Sequence, residues 1–188
     1  MNSNLLSDWL GYINSNRPDE GEFGLERLQK IFTKIVKKPL AKKSIIIGGT
    51  NGKGTTVEYL KNLFLDTNYK VGVYTSPHLI NFNERIQING KNIDDERIIE
   101  AFKEIESIKE ESRLTYFDYA TLAAFYIFSQ EQLDFVILEI GVGGKYDPVN
   151  LINADISIVT NIEMDHEKWL GNSLEEIGTQ KSPNIKQG

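Results

Sequence analysis

Apolar residues along this chain fall into short continuous runs that alternate with stretches of helical spacing. Ser44 to Ile47, Lys70 to Tyr74, Phe135 to Leu138 and Ile156 to Val159 are brief runs rich in β-branched and aromatic residues. Such runs predict core strands, buried on both faces as in a parallel sheet. Between them, apolar residues recur three and four apart. Leu5 to Ile13 predicts an amphipathic helix, and Leu25 to about Lys37 a second, with Leu25, Leu28, Ile31, Phe32 and Ile35 on one face. A third follows a glycine-rich stretch and turns Val57, Leu60, Leu63 and Phe64 inward. Asp94 to Lys109 predicts an exposed helix, Tyr116 to Phe128 a buried one, and a last helix lies near Leu174 to Lys181. Arg85 to Ile88, the pair Asn89-Gly90 and Lys91 to Ile93 predict a hairpin, and the polar segment Asn14 to Gly24 a loop. The alternation of strands and helices points to an α/β fold, a mostly parallel sheet flanked by helices, with no visible domain boundary.

Composition narrows the function classes. The 188 residues suit one domain with a real core, and 40% apolar with 26% charged residues is ordinary for a globular protein. With no cysteine there is no disulfide, thiolate metal site or cysteine nucleophile. No stretch reaches the roughly 18 apolar residues of a membrane span, and Met1 to Trp9 lacks the pattern of a signal peptide. A net charge of −6 argues against a nucleic-acid partner. Lys34, Lys37, Lys38, Lys42 and Lys43 read as a solvated helix end. The expectation is a cytoplasmic protein of small-molecule substrates, without membrane or nucleic-acid contacts.

The candidate chemistry starts at Gly48-Gly49-Thr50-Asn51-Gly52-Lys53-Gly54-Thr55-Thr56, between an apolar strand and a helix. Backbone amides of such a turn, backed by a helix N-terminus, form an anion site. Lys53 would neutralise phosphate oxygens, and the hydroxyl of Thr55 or Thr56 could reach Mg²⁺. The usual P-loop places Ser or Thr directly after the lysine, whereas Gly54 intervenes here. Elsewhere, Glu139 closes an apolar strand and needs a partner there. Ser76 and His166 follow two other strands, so a hydroxyl, a carboxylate and an imidazole face a phosphate loop, a mixed set that suits Mg²⁺. Taken alone, a histidine such as His166 is more often a surface or capping residue.

Gly-Thr-Asn-Gly-Lys-Gly-Thr closely resembles the phosphate loop of the Mur ligase superfamily, in its folylpolyglutamate synthase/dihydrofolate synthase branch. Further blocks keep the family order: Gly24 to Arg27, Tyr74 to Leu79, Phe82 to Ile86, Asn89-Gly90, Thr115 to Tyr119, Leu138 to Gly144, Val159 to Ile162, Asp165-His166, Leu170-Gly171 and Lys181. The resemblance implies ATP binding at Gly49, Thr50, Asn51, Gly52, Lys53, Gly54 and Thr55. It implies metal ligation by Ser76, Glu139, His166 and Thr55, with Lys181 joining them once its amine is carbamylated. Lys53, Lys181 and His166 are then the catalytic set. By its position alone Lys181 would complement a helix C-terminus. The pterin end of the substrate maps to Phe23, Gly24, Leu25, Glu26, Thr115, Tyr116, Phe117, Asp118, Tyr146, Asp147 and Pro148, although Tyr116 and Phe117 read equally as core aromatics. The chain departs from the family at Lys145 for arginine, at Val149 for threonine and at Ser182-Pro183-Asn184 for Ala-Gly-Ile.

The activity so implied is ATP-dependent amide ligation. The γ-phosphoryl of ATP activates the carboxylate of dihydropteroate or a folate as an acyl phosphate, and L-glutamate attacks it. Family members are considerably longer and usually monomeric. On this resemblance, residues 1–188 are a partial ATP-binding domain lacking the C-terminal glutamate-ligase domain, with an unpaired sheet edge and low stability expected. Two other readings remain: a truncated, inactive fragment that at most binds nucleotide, and a peptidoglycan-precursor ligase of the Mur type. A generic P-loop GTPase or kinase ranks last, because its switch and base-reading motifs are missing.

Overall fold

The structure, a computed structural model, describes residues 3–16, 18, 24–164 and 171–181. Helices α1 (Leu6–Ser15) and α2 (Leu25–Ile35) lead into strand β1 (Lys43–Gly48), helix α3 (Lys53–Asp66) and strand β2 (Val71–Tyr74). A 3-10 turn, Phe82–Arg85, precedes the hairpin β3 (Ile86–Ile88) and β4 (Lys91–Asn92). Helices α4 (Asp95–Ile108) and α5 (Tyr116–Ser129), strand β5 (Phe135–Glu139), a second 3-10 turn Pro148–Leu151, strand β6 (Ile156–Val159) and helix α6 (Leu174–Lys181) complete the described chain. The strand order is β4-β3-β2-β5-β1-β6. β2, β5, β1 and β6 run parallel, and the hairpin adds antiparallel strands beside β2. The four parallel strands therefore end along one edge, where open α/β sheets bind ligands.

Period-two alternation sorts the strand side chains into two cores. Ile45, Ile47, Val71, Val73 and Ile137 meet Val57 of α3 on one face. Ile46, Tyr74, Val136 and Leu138 join a much larger cluster with α1, α2, α4 and α5 on the other. α5 can lie close against the sheet because Ala120, Ala123 and Ala124 carry small side chains, all fully buried. Its start is fixed by a capping box in which Thr115 accepts from the Asp118 amide and Asp118 accepts from that of Thr115. Phe125 and Phe128 are fully buried too, each stabilising the fold by about 1.5–3 kcal/mol.

Several expectations change. α4 is not an exposed helix: Ile98, Ile99, Ala101, Phe102 and Ile105 are buried, because its apolar residues align on one face under α1 and α5. Leu63 is 46% exposed rather than inward, since the narrow face of α3 is filled by Val57, Leu60 and Phe64. β6 is an edge strand among the described residues, and Ile156 is 48% exposed, so it is not a core strand. α1 runs to Ser15, into the segment expected as loop, and Trp9 anchors it with no exposure. Of the lysine cluster, Lys34, Lys42 and Lys43 pair with Glu110, Asp134 and Asp155. No helix among the described residues is long and apolar enough to cross a membrane.

Candidate active site

The phosphate loop leaves β1 at Gly48 and enters α3 at Lys53. Gly49 has φ +129°, and a Cβ there would lie 2.1 Å from Thr160 Oγ1, so only glycine fits. The loop is braced from the end of β6. The Thr50 amide donates to the Asn161 carbonyl (2.9 Å) and the Asn51 amide to Asn161 Oδ1 (2.8 Å). Thr160 Oγ1 donates to the Asn51 carbonyl (2.6 Å), and Glu163 accepts from the Asn51 side chain (2.9 Å). These contacts engage the Thr50 and Asn51 amides. The Lys53, Gly54 and Thr55 amides, at the N-terminus of α3, remain without helical acceptors, because the first turn of a helix always leaves them so. Free amides at a helix N-terminus, backed by the helix dipole, are the kind of donors an anion can use.

Lys53 Nζ donates to the carbonyls of Gly49 (3.0 Å) and Thr50 (3.1 Å), folding the ammonium over the loop. The two threonines separate clearly. Thr56 Oγ1 is engaged by the Gly52 carbonyl (2.9 Å), whereas Thr55 is exposed at the start of the helix. Lys181, 2% exposed on α6, donates to Thr50 Oγ1 at 2.6 Å. A residue 131 positions away thus sits on the phosphate loop.

Glu139 and Ser76 come together as their strand ends predict: the Ser76 amide donates to Glu139 Oε2 (3.1 Å). Glu139 is only 5% exposed, and burial pushes its carboxyl above the ordinary range, partly offset by the Ser76 amide and by Lys53. A buried carboxylate held beside a hydroxyl-bearing strand end, with no ion-pair partner among the described residues, is a donor set that fits a divalent cation. His166 lies outside the described residues, and no cluster of three His, Asp or Glu forms among those described.

A cavity of about 580 Å³ opens beside the end of β5. Gly24, Thr115, Phe117, Asp118, Tyr146, Asp147 and Pro148 line it, all foreseen as the pterin side. Leu25, Glu26 and Tyr116 do not; Tyr116 instead stacks under Arg85, its ring 5.6 Å from the guanidinium carbon. Phe23 lies outside the described residues. Asp118 and Asp147 are buried carboxylates of the cavity, each 4% exposed, and Asp147 is the one held by backbone amides alone. Its carboxyl accepts from the amides of Gly141 (2.9 Å), Val142 (3.1 Å) and Val149 (2.9 Å). Burial pushes its pKa up to about 7 against the pull of those amides. Arg27, which the motifs flagged only as part of a block, pairs with Asp118 at 2.9 Å across the mouth. Thr160 and Asn161 likewise lay in a recognised block without a role; their proximity to the loop is a tertiary fact that spacing does not show.

Comparison with known proteins agrees with this fold. Residues 47–183 match the family described as Mur ligase middle domain. Dihydrofolate synthase/folylpolyglutamate synthase of Escherichia coli strain K12 is 42% identical over 178 residues, covering 94% of this chain and 42% of that protein. The solved structure of E. coli FolC in complex with DHPP and ADP superposes with a TM-score of 0.93 at 40% identity, covering 97% of this chain and 44% of that one. A bifunctional folylpolyglutamate synthase/dihydrofolate synthase with Mn, AMPPNP and L-glutamate bound gives 0.89 at 38% identity, over 97% and 44%. The chain thus spans less than half the length of these relatives.

Proposed function

The chain belongs to the Mur ligase middle-domain family, and on that premise we propose that it is the nucleotide-binding part of an ATP-dependent ligase that joins L-glutamate to dihydropteroate or a folate. The observation that carries the reading is the convergence of the Lys53 loop, the Glu139–Ser76 pair and the Asp147 cavity on one sheet edge. Relatives with the same fold carry ADP with DHPP, or AMPPNP with Mn and L-glutamate.

In this reading the amides of Lys53, Gly54 and Thr55 and the Lys53 ammonium hold the nucleotide phosphates. Ser76, Glu139 and Thr55 hold Mg²⁺, with His166 and a carbamylated Lys181 as further ligands. That ion supplies charge neutralisation between phosphate and carboxylate. Lys181 is well placed for its part, because its amine already meets Thr50 on the loop. Asp147, rimmed by amides, and the Phe117 ring hold a flat, donor-rich pterin in the cavity, with Asp118, Thr115, Tyr146 and Pro148 around them. The carboxylate then lies towards the phosphate, and catalysis consists of positioning and electrostatics, with no protein nucleophile. The protein works in the cytoplasm on small molecules, and residues 1–188 serve as its ATP-binding domain.

The test is ligand choice. Calorimetric titration should show binding of dihydropteroate to the 188-residue chain and none of a nucleotide-linked muramyl acid. The reverse preference would move the chain to the cell-wall branch of the family.

A further inference from the structure

Arg85 is a buried cation with no ion-pair partner among the described residues. Its residue is 7% exposed, yet none of the ion pairs among the described residues involves it. Buried charges are ordinarily paired, because removing an ammonium or guanidinium from water is costly. Two rings cover it instead, Phe82 at 5.8 Å and Tyr116 at 5.6 Å. Its Nε donates to His78 Nδ1 at 2.8 Å, so this imidazole accepts at Nδ1 and carries its proton at Nε2. The adjacent carboxylate cannot serve as the partner, because Glu84 is already turned onto the amides of Leu79, Ile80 and Asn81. The guanidinium thus has its Nε fixed by His78 and a further donor on the Tyr74 hydroxyl, with the Phe82 and Tyr116 rings over it, and it meets no carboxylate among the described residues.

The position matters as much as the charge. The Arg85 carbonyl accepts from the Thr75 amide (2.9 Å), and the next residue, Ser76, is the one bonded to Glu139. Tyr74, one residue earlier, has its ring 6.1 Å from that of Phe117, which lines the cavity. The Arg85 backbone is therefore bonded to the segment that runs from Tyr74, beside the cavity ring Phe117, to Ser76, bonded to Glu139. We infer that Arg85, with the His78 N–H beside it, is a carboxylate-binding position for one of the two acids in that reaction. The inference rests on the ligase reading for the identity of the ligand. Two substrates bear the chemistry: the benzoate-type carboxylate of the pterin acid and the carboxylates of L-glutamate. A planar fork held by stacking suits either, since it can engage both oxygens of one carboxylate.

The test is a magnetic-resonance titration of the 188-residue chain, following the Arg85 Nε–H and the His78 ring. The probes are 4-aminobenzoate, its neutral counterpart 4-aminobenzamide, and L-glutamate. We expect one of the two acids to give a saturable shift at both groups and the amide none. Arg85→Gln should weaken that binding about ten- to hundredfold, as loss of a charged hydrogen bond does. The responding acid identifies the source of the carboxylate. The inference is overturned if neither acid at millimolar concentration shifts these signals, if the amide acts as well as the acid, or if Arg85→Gln leaves affinity unchanged. Should that variant not fold, the acid against amide comparison on the unmodified chain decides alone. MgATP added to the same samples monitors the Lys53–Thr55 amides. Their silence beside a responding Arg85 would overturn the nucleotide assignment and keep the carboxylate site.

Discussion

Two neighbouring strand ends are built by opposite means. After β1, the glycine-rich loop is held by hydrogen bonds with Thr160, Asn161 and Glu163, and it leaves the first amides of α3 without helical acceptors and the Lys53 ammonium over the loop. After β5, the adjacent strand, the chain wraps three amides inward around a single carboxylate, Asp147. The first site is a positive, braced surface that costs little to hydrate. The second is a desolvated anion whose proton affinity is raised by burial. A single sheet edge thus offers a cationic seat and an acceptor seat side by side, which is what a phosphate donor and a donor-rich ring would each require.

The sharpest way to break the contrast is Gly49→Ala. The new Cβ would meet Thr160 Oγ1 at 2.1 Å in a backbone of φ +129°. The expected loss is about 1–3 kcal/mol of stability together with MgATP binding, read by thermal melting and calorimetry. Cavity ligands should still bind the folded fraction.

Asp147→Asn probes the other seat. With a folded pKa of about 7 against an ordinary 3.8, the folded chain holds a proton that the unfolded chain releases between those values. Stability contributed by this group therefore falls as pH rises through that window and is flat above it. Denaturant melts across the window should show this slope in the unmodified chain and a reduced one in the variant, while MgATP affinity is unchanged. An unaltered slope would mean that another group carries the pH dependence.

Thr160→Val has a smaller expected effect. It removes the bond to the Asn51 carbonyl and the longer one to that of Gly48, for about 1 kcal/mol, with a modest loss of MgATP affinity and none at the cavity. The smallest change in stability should come from Thr55→Val, within about 0.5 kcal/mol, because the residue is exposed. It should nevertheless raise the Mg²⁺ concentration needed for nucleotide binding, whereas Thr56→Val, which loses its bond to Gly52, should lower stability without that shift. Equal Mg²⁺ dependence in the two variants would remove Thr55 from the ligand set.

The legible parts were those with local causes. The apolar run Ser44 to Ile47, the glycines after it and the helical spacing from Val57 define β1, the loop and α3 with little outside help. Leu174 to Lys181 is a helix over the range expected. Glu139 and Ser76 could be brought together because parallel strands must end on one edge. What sequence did not show depends on distant partners. The exposed reading of α4 failed because its charged residues mask an apolar face covered by α1 and α5. The brace of Thr160 and Asn161 on the phosphate loop spans more than a hundred positions, and the lack of an ion pair at Arg85 among the described residues is visible only once Glu84 is seen turned onto backbone amides. Tyr116 illustrates the same limit: an aromatic in a substrate motif turned out to lie under Arg85 rather than in the cavity.

The central claim is that this sheet edge forms a working nucleotide seat around Lys53. Calorimetric titration of MgATP into the 188-residue chain, beside Lys53→Ala, tests it most directly. The account predicts saturable one-to-one binding that the substitution abolishes while leaving the fold and the Asp147 cavity intact. Binding that survives in Lys53→Ala, or no binding to a demonstrably folded chain, would contradict it.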